Sequence, residues 1–340
     1  MTGGFLTRGR AVLPGLAVVG AGSVLASLLG GLVPLVGAPV FGLVIGALAG
    51  AVVPRLRSAS LTPGYGLAGR FLLQAAIVVL GTGLSLRQVI TVGRESLPVM
   101  IGTLIIALVG GAVLGRLFRL DSETTLLITV GTAICGASAI AATSAVIKPR
   151  DRAIGYAIGT IFTFNVAAVM IFPPLGHLLG LDPAAFGRWS GTAVNDTSSV
   201  VATAYAFNPA AGPQALVVKL ARSLMIIPIV LVIAVINSRN RSGAERPTGR
   251  PQPWRLVPPF LIGFLVAAGL QTLGLIPASW QPALAALGLF LITAALTGIG
   301  LSLRLADLRR SGPKPLLLGA LLWIAVAAAS LGLQAATGQL

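Results

Sequence analysis

Nine stretches of this chain are apolar for about the roughly 20 residues that an α-helix needs to cross a hydrocarbon core, and this constrains the fold more than any other feature. They are 11–33, 34–53, 67–86, 97–118, 153–173, 214–236, 256–275, 282–303 and 315–335. Two more, 124–147 and 191–207, are membrane-like only in part, being rich in Gly, Ser, Thr and Asn. The pattern predicts an all-α polytopic membrane protein, a single domain over 1–340, with nine full spans and two interrupted or re-entrant segments.

Composition excludes the main rivals. Only 9% of the residues are charged, against about a quarter in soluble domains. The net charge of +16 suggests nucleic acid, but such a partner needs basic residues solvated on one face, and here they sit in short gaps between apolar runs. One Cys and one His leave no intrachain disulfide and too few ligands for a structural zinc site. The first apolar run is too long for a signal-peptide core, so it is expected to be a retained span.

Lys and Arg collect on the cytoplasmic side of short loops. The richest gap, 237–255, carries Arg239, Arg241, Arg246, Arg250 and Arg255 and is expected to be a cytoplasmic loop. If 124–147 turns back before crossing, 19 of the 24 basic residues fall inside; if it crosses, 17 do. The charge rule therefore favours re-entrant hairpins, with the N-terminus cytoplasmic.

Two internal matches bear on the same question. Residues 81–87 (Gly-Thr-Gly-Leu-Ser-Leu-Arg) return at 298–304 as Gly-Ile-Gly-Leu-Ser-Leu-Arg, and that offset of 217 gives 13 identities in 41 positions over 75–115. Residues 131–138 match 191–198 at an offset of 60. The offsets agree if the second unit is circularly permuted, and in the hairpin topology paired elements then run in opposite directions. Such inverted repeats belong to secondary transporters whose sites form where interrupted helices meet.

The interrupted segments supply the candidate residues. Gly136 allows unwinding, leaving Thr132, Cys135 and Ser138 beside freed amides, and a half-helix starting there carries a partial positive charge suited to an anion. Asn195, Asp196, Thr197, Ser198 and Ser199 form an unbroken polar run in apolar sequence. An acid at membrane depth is a functional candidate by default, so Asp196, with Ser199, is expected to hold a coupling sodium ion or proton or to neutralise nearby cations. Lys219 and Arg222 lie three apart on one helical face. With Asp196 they leave one net positive charge, for which an anionic substrate is the completion. Asn165 is a further donor candidate. Close packing of small residues, an extracellular position for 195–199 and snorkelling of Lys219 and Arg222 are the structural alternatives.

The runs Gly-Thr-Ala-Ile-Cys-Gly-Ala-Ser-Ala-Ile-Ala-Ala from Gly131, Asn-Asp-Thr from Asn195, Val-Lys-Leu-Ala-Arg from Val218 and Gly-Pro-Lys-Pro-Leu-Leu-Leu-Gly from Gly312 resemble a bacterial inner-membrane family named as sulfate exporters. The resemblance implies membership of the cation/proton antiporter and bile-acid-type transporter superfamily, with core and panel domains and inverted repeats. Family members usually carry His before the Asp-Thr pair, where this chain has Asn195, so no proton relay is carried over to that position. The expected function is secondary transport of a small anion, either a sulfur oxyanion, a sulfonate or an organic acid. An anion channel and a non-transporting sensor are the alternatives. No catalytic residue pairing points to an enzyme, and no cofactor is expected beyond the coupling ion. The expected partners are the anion, the bilayer and a second copy in a homodimer.

Overall fold

The computed structural model describes residues 3–32, 37–240, 259–303 and 312–340. Most of the expected basic loop 237–255 therefore lies outside the described residues, as do Arg304 of the longer repeat and the start of the run at 256. Among the described residues there is no strand. The helices are α1 (Gly3–Leu32), α2 (Ala38–Val52), α3 (Thr62–Gly81), α4 (Leu86–Leu117), α5 (Ser122–Ala133), α6 (Ala137–Ile147) and α7 (Asp151–Leu178). After them come α8 (Pro183–Ala193), α9 (Thr197–Phe207), α10 (Ala211–Leu224), α11 (Ile226–Asn240), α12 (Pro259–Thr272), α13 (Gln281–Ser302) and α14 (Pro313–Ala336).

Seven membrane spans among the described residues are long and apolar enough to cross, α10 and α11 counting as one. The run expected from 34 gives a shorter helix, of 15 residues in α2, and of the run from 256 the described residues include the 14 of α12. In α2 the punctuation is proline: Pro39 sits in its first turn and Pro54 follows its end, where a missing N–H is harmless at the start and prevents continuation at the close. Side chains cap other helices. Ser85 and Gln88 form a reciprocal box at the start of α4, while Asp121, Asp182 and Asp196 accept backbone N–H groups at the starts of α5, α8 and α9.

The helices pack as two groups. One holds α1, α2, α3, α12 and α13; the other holds α4 to α11 and α14. Within the first, α2 lies directly against α13: a Cβ at Gly46 would overlap the Thr297 carbonyl oxygen, and one at Gly300 the Leu43 carbonyl oxygen. Small residues thus bring the backbones close enough for dense van der Waals contact, which lipid solvent does not otherwise drive.

Both interrupted segments turn back on themselves. The Arg150 backbone N–H and Nε donate to Glu123 Oε2 at 3.1 and 3.0 Å, and Arg150 Nη2 stands 3.4 Å from an Asp121 carboxylate oxygen. The end of α6 is thereby tied to the start of α5. In the other segment the Phe207 ring, closing α9, stacks on Phe186 near the start of α8 at 3.9 Å and on His177 at the end of α7 at 4.3 Å. The two hairpins therefore enter from opposite ends of α7, a helix of 28 residues that spans about 42 Å at 1.5 Å per residue.

Candidate functional site

The tips of the hairpins, Ile134–Gly136 and Val194–Asp196, meet: a Cβ built on Gly136 would lie 3.7 Å from Asn195 C and Asp196 Cβ. Each tip frees backbone groups that hydrocarbon cannot satisfy. On the carbonyl side the chain answers with buried cations. Lys219 Nζ donates to Ile134 O at 2.8 Å and Val194 O at 3.1 Å, and Arg222 donates to Ala133 O at 2.7 Å and Thr132 O at 2.9 Å. Both cations have no exposed surface. They close the negative ends of α5 and α8.

The amide side is built differently on the two hairpins. Asp196 caps α9 by accepting from the Ser198 and Ser199 N–H groups at 3.0 and 3.4 Å and from the Ser198 hydroxyl. Asn165 Oδ1 on α7 accepts the Asn195 and Asp196 N–H groups, each at 3.2 Å. At the start of α6 the cap position is Gly136, with φ +67° and ψ −127°, and no side chain caps it. Only glycine enters that region without strain.

Beside these two N-termini lies a cavity of about 190 Å³. Ala137, Asn165, Asp196, Ser198 and Ser199 bound it from the hairpin group, and Leu43, Leu296 and Ile299 from the other group. A larger cavity of about 700 Å³ shares Ile158, Phe162 and Ile299 with it and runs to Arg70 and Arg152. The site is thus continuous with the face that gathers Arg119, Arg150, Arg152 and Lys314. Toward the opposite face the groups close through Val40, Val201, Tyr205 and Leu216.

Of the expected site residues, the structure brings Asn165, Asp196, Ser198 and Ser199 to the cavity. It separates others from it. Thr132 and Cys135 are buried behind the tip of the first hairpin, and the Thr132 hydroxyl has no partner. Asn195 is buried, with its Oδ1 unpartnered. Ser138 is exposed and Thr197 half-buried, and neither bounds the cavity. The largest correction concerns Lys219 and Arg222, which neither snorkel nor face the cavity, because the carbonyls of both tips engage them. Asp196 makes no direct ion pair with either among the described residues, and its carboxylate accepts from its own helix.

Sequence reasoning missed the aliphatic walls and the residues of the larger cavity. Arg152 has its Nε on Tyr156 Oη at 2.7 Å and its guanidinium 5.0 Å over that ring, and Tyr65 is buried with an unpartnered hydroxyl. The i, i+4 spacing of Arg152 and Tyr156 was the one signal available for them.

A model of the family described as Conserved hypothetical protein 698 matches residues 14–319. The UPF0324 membrane protein SAG1125 of Streptococcus agalactiae serotype V is 38% identical over 334 residues, covering 96% of this chain and 98% of that protein. A UPF0324 membrane protein of Clostridium tetani is 38% identical over 329 residues, covering 93% and 95%, and one of Streptococcus pneumoniae serotype 4 is 41% identical over 325 residues, covering 93% and 94%. These names say membrane protein and state no substrate.

Proposed function

We propose, from the premise that this chain belongs to the Conserved hypothetical protein 698 family of multi-pass membrane proteins, that it is a secondary transporter moving a small anion by alternating access. One observation carries the reading: a cavity with polar residues where two interrupted helices meet, walled on its other side by a separate group of helices. Relative movement of the two groups exposes such a cavity to one face and then the other.

The N-terminus of α6, where glycine leaves the cap position without a side chain, offers a partial positive charge for an anion. Asp196 is the coupling site: a carboxylate in the same cavity repels the anion unless it carries a proton or sodium ion, so the two bind together. A sulfonate or sulfur oxyanion is the substrate class that the sequence resemblance adds.

The topology in this proposal is nine crossings, with α2 and α12 as short ones, plus two hairpins. The unit α5–α6–α7 corresponds to α8–α9 followed by the span α10–α11 at the offset of 60 seen in the sequence, and the second hairpin enters from the other end of α7. The basic face is cytoplasmic by the charge rule, which also places the N-terminus inside the bacterial inner membrane. Reconstitution in liposomes tests the function. Saturable anion uptake driven by a proton or sodium gradient is expected; flux that neither saturates nor responds to a gradient makes the protein a channel, and the absence of any flux overturns transport.

A further inference from the structure

Resting on the transport reading, we infer that the substrate is an organic anion with an aliphatic body, and that its head group docks first between Arg70 and Arg152 in the larger cavity. The route into the molecule has two chemical parts. Near the basic face the 700 Å³ cavity carries Arg70 and Arg152, both exposed. Deeper in, the walls shared with the 190 Å³ cavity are Ile158, Phe162 and Ile299.

The polar part is built rather than incidental. Tyr156 fixes the Arg152 guanidinium by a hydrogen bond and by its ring face, and this engages Nε while the terminal amino groups make no contact among the described residues. Arg70 stands in a π-helical turn, Ala68–Leu72, inside α3, and such turns are frequent where a helix serves a site.

The apolar part selects the ligand's body. A hydrated inorganic dianion such as sulfate loses its water between aliphatic walls and finds few donors to replace it, which is strongly unfavourable. A monoanion with an alkyl chain gains instead: each buried methylene strengthens binding about fourfold. The 190 Å³ volume at the crossing sets the length at which added carbons stop helping.

Purified protein in detergent, titrated by thermal shift with sulfate, methanesulfonate, butanesulfonate and octanesulfonate, tests the inference. Affinity is expected to rise about fourfold per methylene up to a plateau, and Arg70→Gln with Arg152→Gln to weaken every sulfonate at least tenfold. An unchanged elution profile of the double variant is the check on folding. Binding of sulfate as tight as that of butanesulfonate overturns the proposal. A chain-length series that survives in the double arginine variant overturns it too, because the cavity then takes lipid-like chains without reading the charge. Gradient-driven sulfate uptake in proteoliposomes that butanesulfonate does not inhibit refutes the organic substrate and leaves transport standing. Flux of neither anion refutes both.

Discussion

The two hairpins, of 12 and 11 helical residues in the first and 11 and 11 in the second, solve the same problem by opposite means. In the second, the chain caps itself: Asp196 takes the amides of α9 and Asn165 those of the tip. In the first, the tip holds a glycine where a cap would be, and its carbonyls depend on Arg222 and Lys219 from α10. Lys219 alone reaches both tips. One hairpin thus has a carboxylate at its positive end, and the other has a glycine there. Cations on one side of the crossing and a helix end without a side-chain cap on the other divide structural work from ligand binding.

The largest way to break this comparison is Arg222→Ala, which leaves the Thr132 and Ala133 carbonyls buried without donors. Two charge-assisted hydrogen bonds lost in the interior cost about 4 kcal/mol, so a large fall in the thermal midpoint in detergent is expected, before any effect on ligand is considered. An Arg222→Ala protein that melts with the parent and loses only its anion response would return the residue to substrate binding. Gly136→Ala should cost about 2 kcal/mol, since alanine is strained at φ +67° and ψ −127°; the same measurement reads it, and an unchanged midpoint would show that the first tip tolerates a side chain. Asp196→Ala removes a cap and should cost about 1 kcal/mol, less than either change in the first hairpin. A greater loss than that of Gly136→Ala would invert the ranking of the two tips.

The smallest effect lies at the base of the first hairpin and depends on pH. The Arg150 backbone and side chain donate to Glu123 and hold its carboxyl below the ordinary value of 4.5. Partial burial works against ionisation of Asp121, but hydrogen bonds from Thr124 and the Arg150 charge outweigh it and leave that carboxyl lowered too. Both groups therefore contribute stability that is fully present above their unfolded values and is lost as the pH falls through the lower folded ones. A mild loosening confined to that acid range is expected from hydrogen exchange at the Lys148 and Arg150 amides. Equal exchange at neutral and acid pH would show that the ion pairs do not hold the hairpin base.

Much of the fold was legible in the sequence, because apolar runs with Pro and Gly punctuation state where helices start and stop. The two interruptions were legible for the same reason: Gly136 and the run from Asn195 to Ser199 are too polar or too flexible for a lipid-facing helix. Asp196 and Asn165 could be picked out as polar residues at membrane depth. The role of Lys219 and Arg222 could not, since backbone carbonyls are present at every residue and only the fold reveals which of them lack partners. The cavity walls were equally silent, because Leu43, Ile158 and Ile299 read like any residue facing lipid. The short length of α2 was hidden by apolar sequence that continues beyond its ends.

Transport coupled at Asp196 is tested most directly by Asp196→Asn in proteoliposomes, assayed for anion uptake with and without proton and sodium gradients. Asparagine keeps the N-cap and the shape of a protonated acid but holds neither a charge nor an exchangeable coupling proton. The variant is expected to exchange anion across the membrane and to show no response to either gradient. Uptake by Asp196→Asn with the ion dependence of the parent would contradict the coupling role and leave Asp196 as the cap of α9 alone.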